Sequence, residues 1–340
     1  MTRTADQRSG KESGQPTKSP WHFPQAEPVI RPGQLQPEFD SGRASAAHVV
    51  RLGDHYRMLY WGSNATGHYI LQAEAPVDSP NDWKPLKDPL IGPQPDNEYN
   101  CQGPSFPFLL PVTDTHWLLY FCSWGRWKDG KVPNKTGVAI SENAGRTWRY
   151  HDRHPVIPLD RDYDSEATGS VWVLHEHGRF RMYYTAIGKY FAKPEGVQTG
   201  HGDRIPSIGI GYAESTDGLN WEKPLADLVV KPRGFGVEPY EYISSKPAIV
   251  QGPKGYTMWL NTFGTAYRVH RLTSRDGLRW DWAPRLGPDG EMGIGEPGAF
   301  DSHQRSYPCM VREGNELRCW YTGNDFGTTG MGYCVGPAEE

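Results

Sequence analysis

Acidic side chains recur at one kind of place in this chain, a few residues ahead of an apolar run. An aromatic residue followed by Asp-Ser occurs at Asp40, Asp164 and Asp301, and Glu241 and Asn100 stand at the matching place in two further segments. Asp-Ser caps turns through its own backbone. Glu166, however, follows Asp164 by two residues and is a poor turn-former, and the same segments carry Arg43, Gln102, Lys246, His303, Gln304 and Arg305. Carboxylates mixed with Arg, Gln and His suit a carbohydrate site. Trp61, Trp124, Trp127, Tyr190, Tyr240 and Tyr307 can stack on sugar faces. Glycoside cleavage needs an acid to protonate the leaving oxygen and a carboxylate opposite it, about 5 Å away for retention or roughly 6.5–9.5 Å for inversion. A carboxyl near a second negative charge has its pKa raised, a condition Glu166 meets if the fold sets it beside Asp164 and across from Asp40.

The elements that must position these residues repeat. Five runs share an apolar pair, a short turn and an aromatic-rich strand: VVRLGDHYRMLYW from Val49, LLPVTDTHWLLYF from Leu109, WVLHEHGRFRMYY from Trp172, AIVQGPKGYTMWL from Ala248 and CMVREGNELRCWYTG from Cys309. Each reads as two antiparallel strands. SENAGRTW, STDGLNW and SRDGLRW then supply tight turns closed by Trp148, Trp221 and Trp280, with a degenerate copy ending at Trp83. Together they predict an all-β fold, a five-bladed β-propeller of four-stranded antiparallel blades; a β-sandwich is the alternative. The last blade ends early, at GMGYCVG, so its outer strand is expected from Trp21–Ile30, which would also protect the sheet edges. The blade starts would then converge on one mouth of a central channel, and the acids with them.

On these features the chain resembles the five-bladed propeller glycosidases: arabinanase/xylosidase-like, invertase-like and mannoside-phosphorylase-like enzymes. The resemblance spans residues 30 to 336 as architecture, without a stretch diagnostic of one family. It implies that Asp40, in FDSG, is the base or nucleophile and that Glu166, ahead of the small-residue segment ATGS, is the general acid. The Asp that opens the second blade in those enzymes is replaced here by Asn100, so Asp164 or Asp301 supplies the missing charge or the chemistry differs. Arg43, Gln102, Trp61, Trp124, Glu241, Lys246, His303, Arg305 and Tyr307 are expected to bind substrate. His303 has the further options of orienting a carboxylate or helping to hold a central water or a structural Ca²⁺, the one cofactor the resemblance suggests. SENAGRTW also matches the sialidase Asp-box, with Asn143 in place of Asp, but that box is a structural hairpin.

Composition bounds the rest. Of 340 residues, 12% are aromatic, with 39 Gly and 30 Pro to cut the strands. Net charge is −4 and no basic run occurs, so a nucleic-acid partner is not expected. No run approaches the roughly 18 apolar residues of a membrane span. Residues 1–20 are polar and read as a disordered tail, leaving 21–340 as a single propeller domain. Five cysteines without CxxC spacing, and no secretory apolar run, point to free thiols and a cytoplasmic setting. The catalytic zinc spacing HExxH is absent. Long Gly- and Lys-rich segments, SWGRWKDGKVPNKT and AIGKYFAKPEGVQTGHGDRIPS, are expected to wall the pocket and limit it to a short substrate. Three functions remain open: a glycoside hydrolase, a phosphorylase that uses Arg43, Lys246 and Arg305 for phosphate, and a non-hydrolytic sugar-binding or tailoring propeller.

Overall fold

Aromatic and β-branched strands broken every few residues by Gly, Asp or Pro can bury their apolar side chains only by stacking sheet on sheet. The computed structural model describes residues 19–86, 88–151, 155–233, 240–284 and 286–338; most of the expected tail, 1–18, lies outside the described residues. One antiparallel meander comprises β1 (Arg43–Leu52), β2 (His55–Asn64), β3 (Gly67–Pro76) and β4 (Lys84–Pro85). A second comprises β5 (Gly103–Pro111), β6 (Trp117–Trp124), β7 (Asn134–Ser141) and β8 (Arg149–Tyr150). Next come β9 (Ala167–Glu176), β10 (Arg179–Ala192) and β11 (Arg204–Ser215), then β12 (Ile243–Gly252), β13 (Gly255–Phe263), β14 (Tyr267–Ser274) and β15 (Asp281–Trp282). These two groups touch as one seven-stranded sheet only through the single parallel pair Ile208–Ile243. The last group is β16 (Ser306–Glu313), β17 (Glu316–Thr322) and β18 (Met331–Pro337). Its open edge is covered from the other end of the chain: His22 pairs with Val335 and Ile30 with Met331. The fold is all-β, built of antiparallel sheets of up to four strands.

Three of the sequence-selected acids brace this frame. Each is buried in the turn before a first strand and accepts a hydrogen bond from a tyrosine 20 residues later: Tyr60 Oη to Asp40 (2.9 Å), Tyr184 Oη to Asp164 (2.7 Å) and Tyr321 Oη to Asp301 (2.8 Å). The backbone amides of Gly33 and Gln36 complete Asp40, Arg161 N and Lys223 complete Asp164, and Arg305 completes Asp301. Where the acid is replaced, so is the phenol: by strand register rather than by count, Phe121 and Leu260 hold the tyrosine's place in the meanders that follow Asn100 and Glu241. The Trp hairpins join neighbours. Gly218 and Gly277, with φ of 75° and 74°, each offer a carbonyl to a tyrosine of the preceding sheet, Tyr120 (2.7 Å) and Tyr183 (2.9 Å).

The first strands of four meanders carry a bulge at one position, and its residue is left-handed: Ala46 (φ 49°), Phe106 (47°), Lys246 (50°) and Tyr307 (52°). A bulge frees an N–H from the ladder, and a buried N–H must find a partner. The preceding sheet's second strand supplies it: Lys246 N donates to Thr185 Oγ1 (3.1 Å), Tyr307 N to Asn261 Oδ1 (2.8 Å), and Ala46 N to Thr322 Oγ1 (2.8 Å). The last of these joins the first meander to the final one.

Tyr60→Phe, Tyr184→Phe and Tyr321→Phe each strip a donor from a buried carboxylate. Each is expected to destabilise the fold by about 1–3 kcal/mol, read from urea unfolding midpoints at unchanged m-value.

Candidate active site

A cavity of about 360 Å³ opens at the end where the first strands begin. Bulges from three meanders reach it: Phe106, Lys246 and Tyr307 all line it. It lies where the polar clamp is interrupted. Trp61 and Cys122 hold the second-strand position that Thr185, Asn261 and Thr322 hold elsewhere, and neither offers a strong acceptor; both line the cavity. Trp61 and Trp124 stack with centroids 6.1 Å apart at 24°, and the exposed Trp127 follows Trp124 at 6.3 Å. Tyr267 meets Tyr307 at 5.2 Å, and Phe326 meets Tyr267 at 5.7 Å. Tyr190 and His201, from the long β10–β11 excursion, close one side with Pro206. Asn134, Ser170, Thr185 and Ser245 supply polar edges. Aromatic faces with few hydrogen-bonding groups are the usual make-up of a small-ligand site. Among the described residues no Asp or Glu lines it.

Among the described residues, Arg43 is one of two cations that line this cavity. Its guanidinium lies 4.3 Å from the Trp61 ring centroid and 5.8 Å from that of Phe326. Burial lowers its pKa from the ordinary arginine range. Deeper, Lys246 is fully buried, with its ammonium 3.5 Å from the Pro308 carbonyl, and burial pulls its pKa below the ordinary lysine value. His48 lies beyond it. Burial, then the Lys246 charge, pushes the imidazole down to about 3, so it is neutral; Nε2 lies 3.1 Å from the Leu109 carbonyl and Nδ1 3.9 Å from Cys309 Sγ. These residues form a neck between the cavity and a second opening at the far ends of the first strands, lined by His48, Phe108, Trp172 and Met310 among others. An ammonium, an imidazole and a thiol do not fit the oxygen-ligated site a Ca²⁺ requires, so no step involves a calcium ion. All five cysteines are free. Among the described residues no helix is long and apolar enough to cross a membrane.

Of the residues singled out in the sequence, the cavity brings together Arg43, Trp61, Trp124, Trp127, Tyr190, Lys246 and Tyr307. Asp40, Asp164 and Asp301 are kept out of it, since their carboxylates are enclosed in the tyrosine-braced turns. Glu166 is not among the lining residues either. It sits at the head of β9, its carboxylate 2.7 Å from Lys131 and its carbonyl 3.0 Å from Lys135. Glu166 and Asp40 therefore occupy separate environments, one partly exposed and the other sealed, and the opposed pair expected across the channel is not formed. Gln102 contributes backbone bonds to His68 and Trp124. Glu241 is buried against Thr262, His270 and Arg233, and these partners outweigh burial and draw its pKa down to about 2. His303 is exposed, and its backbone N–H is bound by Asn324. Arg305 is held by Asp301 at 2.7 Å and lies 3.6 Å over the Phe23 ring. Phe106, Tyr267 and Phe326 were not anticipated. For Phe106 a signal existed: Ser-X-Pro opens three first strands, as Ser105-Phe106-Pro107, Ser245-Lys246-Pro247 and Ser306-Tyr307-Pro308, and X is the left-handed residue each time.

No protein-family model matches the chain. It is 31% identical over 305 residues to two proteins of Mycobacterium tuberculosis, "Uncharacterized protein MT1551" (strain CDC 1551 / Oshkosh) and "Uncharacterized protein Rv1502" (strain ATCC 25618 / H37Rv), covering 88% of this chain and 94% of each relative. Solved structures with a similar fold include a glycosyl hydrolase from Bacteroides ovatus (TM-score 0.68, 14% identity, 94% of this chain and 95% of that one). A second is described as "The GH130 family of mannoside phosphorylases contains glycoside hydrolases that target beta-1,2 mannosidic linkages in Candida mannan" (0.62, 15%, 93% and 93%). A third is a thermostable family-43 glycoside hydrolase (0.61, 13%, 92% and 93%). The fold is that of propeller glycoside hydrolases.

Lys246→Met removes an amine whose burial is offset by one long carbonyl contact, and is expected to stabilise the protein by about 1–3 kcal/mol at pH 7. Because the folded-state pKa lies below the unfolded value of 10.5, the unfolded chain binds the extra proton between the two values. Wild-type stability should therefore rise with pH through that window, and the gain in the variant should vanish toward pH 10.5. Chemical unfolding of both proteins from pH 7 to 10.5 measures this.

Proposed function

We propose that this chain, which belongs to one family with the mycobacterial proteins MT1551 and Rv1502, is a glycosidase-like protein that takes a short glycoside into the aromatic cavity of a five-bladed propeller. The blade count rests on the five meanders, the fifth completed by the N-terminal segment, and residues 21–340 form one domain. The observation that carries the function is the cavity itself: the Trp61–Trp124 pair and Trp127 offer ring faces for a sugar, while Asn134, Ser170 and Thr185 offer edges for its hydroxyls. The Tyr190–Gly202 excursion sets how many sugar units fit, since Tyr190 and His201 close one wall.

Glycosyl transfer here uses one carboxyl instead of an opposed pair. Glu166 is the proton donor; it adjoins Ala167, whose β-partner Ile187 lines the cavity. The acceptor is a water or an inorganic phosphate. The phosphorolytic reading is favoured by one observation, that among the described residues the Arg43 guanidinium has no counter-ion and no Asp or Glu lines the cavity.

A panel of aryl furanosides and pyranosides assayed with and without phosphate tests these assignments. Glu166→Gln is expected to lose at least a hundredfold in turnover while binding is kept, and Trp124→Ala to weaken binding by tenfold or more. Deletion of Tyr190–Gly202 should widen the range of chain lengths accepted. Equal turnover by Glu166→Gln removes it as the acid. Binding without turnover of any glycoside, in either buffer, leaves a sugar-binding protein.

A further inference from the structure

We propose that Arg43 forms an oxyanion subsite inside the aromatic cavity, so that the preferred ligand is a negatively charged glycoside; this deepens the glycoside reading above and rests on it. The guanidinium makes no hydrogen bond or ion pair among the described residues, and its Nε is buried without a partner. A charge removed from water without compensation is costly. Elsewhere the protein avoids that cost: Arg305 is paired with Asp301 at 2.7 Å, Lys223 with Asp164, Arg57 with Glu74, and Arg268 with Asp289 at 3.0 Å. Arg43 is as enclosed as several of these, yet like Lys246, the deeper cation of the same cavity, it faces no anion among the described residues.

The surroundings keep the site positive. Trp61 donates its indole N–H to His68 Nδ1 (3.2 Å), and burial, then the Arg43 charge, draws His68 down to about 4, so that ring is neutral. Burial drives the Tyr307 phenol well above its ordinary value and the Cys122 thiol up to about 12, so neither supplies an anion at neutral pH. The Trp61 face orients the guanidinium plane, leaving its edge N–H groups to meet two oxygens of a carboxylate or phosphate in a forked geometry. A neutral sugar would leave the cation unpaired, and this difference is the basis of selection.

The shared chemistry is an oxyanion, borne by the sugar as a uronate or phosphate ester, or supplied by free phosphate. Calorimetric binding of matched pairs separates these sources: methyl glucoside with methyl glucuronide, the galactose and mannose equivalents, glucose 6-phosphate, and inorganic phosphate alone or with each neutral glycoside. The charged member should bind at least tenfold tighter than its neutral partner to wild type, and Arg43→Gln should abolish the difference while neutral binding persists, which also shows the variant is folded. Phosphate that binds wild type but not Arg43→Gln, and tightens neutral glycosides, assigns the subsite to the free ion. Phosphate binding with no glycoside bound at all keeps the subsite and removes the glycoside reading. Equal affinity for charged and neutral members together with no phosphate binding, or a charge preference unchanged in Arg43→Gln, overturns the proposal.

Discussion

The hydrogen bond from a bulged first-strand N–H to a side chain of the preceding sheet is the constraint on which the architecture turns. A bulge removes an amide from the ladder at a point with no water to receive it, so the neighbouring sheet must present an acceptor there. Thr185, Asn261 and Thr322 do so for Lys246, Tyr307 and Ala46. Each contact fixes one sheet against the next, and the Thr322 contact closes the chain's last sheet on its first. The pairing of His22 and Ile30 with β18 reinforces that closure along the outer edge.

The same device makes the cavity. A left-handed residue costs on the order of 1–3 kcal/mol, and the clamp is what holds Lys246 and Tyr307 in that conformation. Where the second-strand position is Trp61 or Cys122, the clamp is missing, and space and aromatic surface take its place. Phe106 keeps its left-handed geometry there without the side-chain acceptor and packs on Trp61 with centroids 5.2 Å apart. Structure and cavity are thus one repeated position filled in two ways, polar where sheets are joined and, at Trp61 and Cys122, without a strong acceptor where the cavity opens.

Much of the strand pattern was legible because it depends on short-range features: apolar alternation, Gly-containing turns, and a hairpin ending in Trp. The closure by residues 22–30 was legible because the final repeat stops one strand short. The acids misled for a physical reason. An aromatic-Asp-Ser before a strand serves turn capping and catalysis equally well when read locally, and only its partner 20 residues away separates the two. Aligned by strand register, the repeats carry the pairing: Tyr60, Tyr184 and Tyr321 accompany Asp40, Asp164 and Asp301, whereas Phe121 and Leu260 hold that place after Asn100 and Glu241, where a plain count of 20 would have picked Tyr120 and Asn261. An acid that changes together with a phenol inside one chain is a bracing acid. The left-handed side chains were hidden for the opposite reason, since a bulge is a matter of register between strands. The Ser-X-Pro triplet is its faint trace.

An aromatic cavity that no Asp or Glu among the described residues lines also changes what the proposed sugar site could do. Carboxylates facing one another across a pocket stabilise a positively charged oxocarbenium-like transition state and repel anionic ligands at once. Locking Asp40, Asp164 and Asp301 into tyrosine-braced turns removes both effects and leaves the field of the cavity to Arg43 and Lys246. On the proposed reading, a positive cavity disfavours cation development at an anomeric carbon unless an anion arrives with the ligand or the acceptor, so charge balance, which no described side chain of the lining supplies, would be completed by what binds. Substrate charge and chemical step are on this account one problem, and Arg43 stands where they meet.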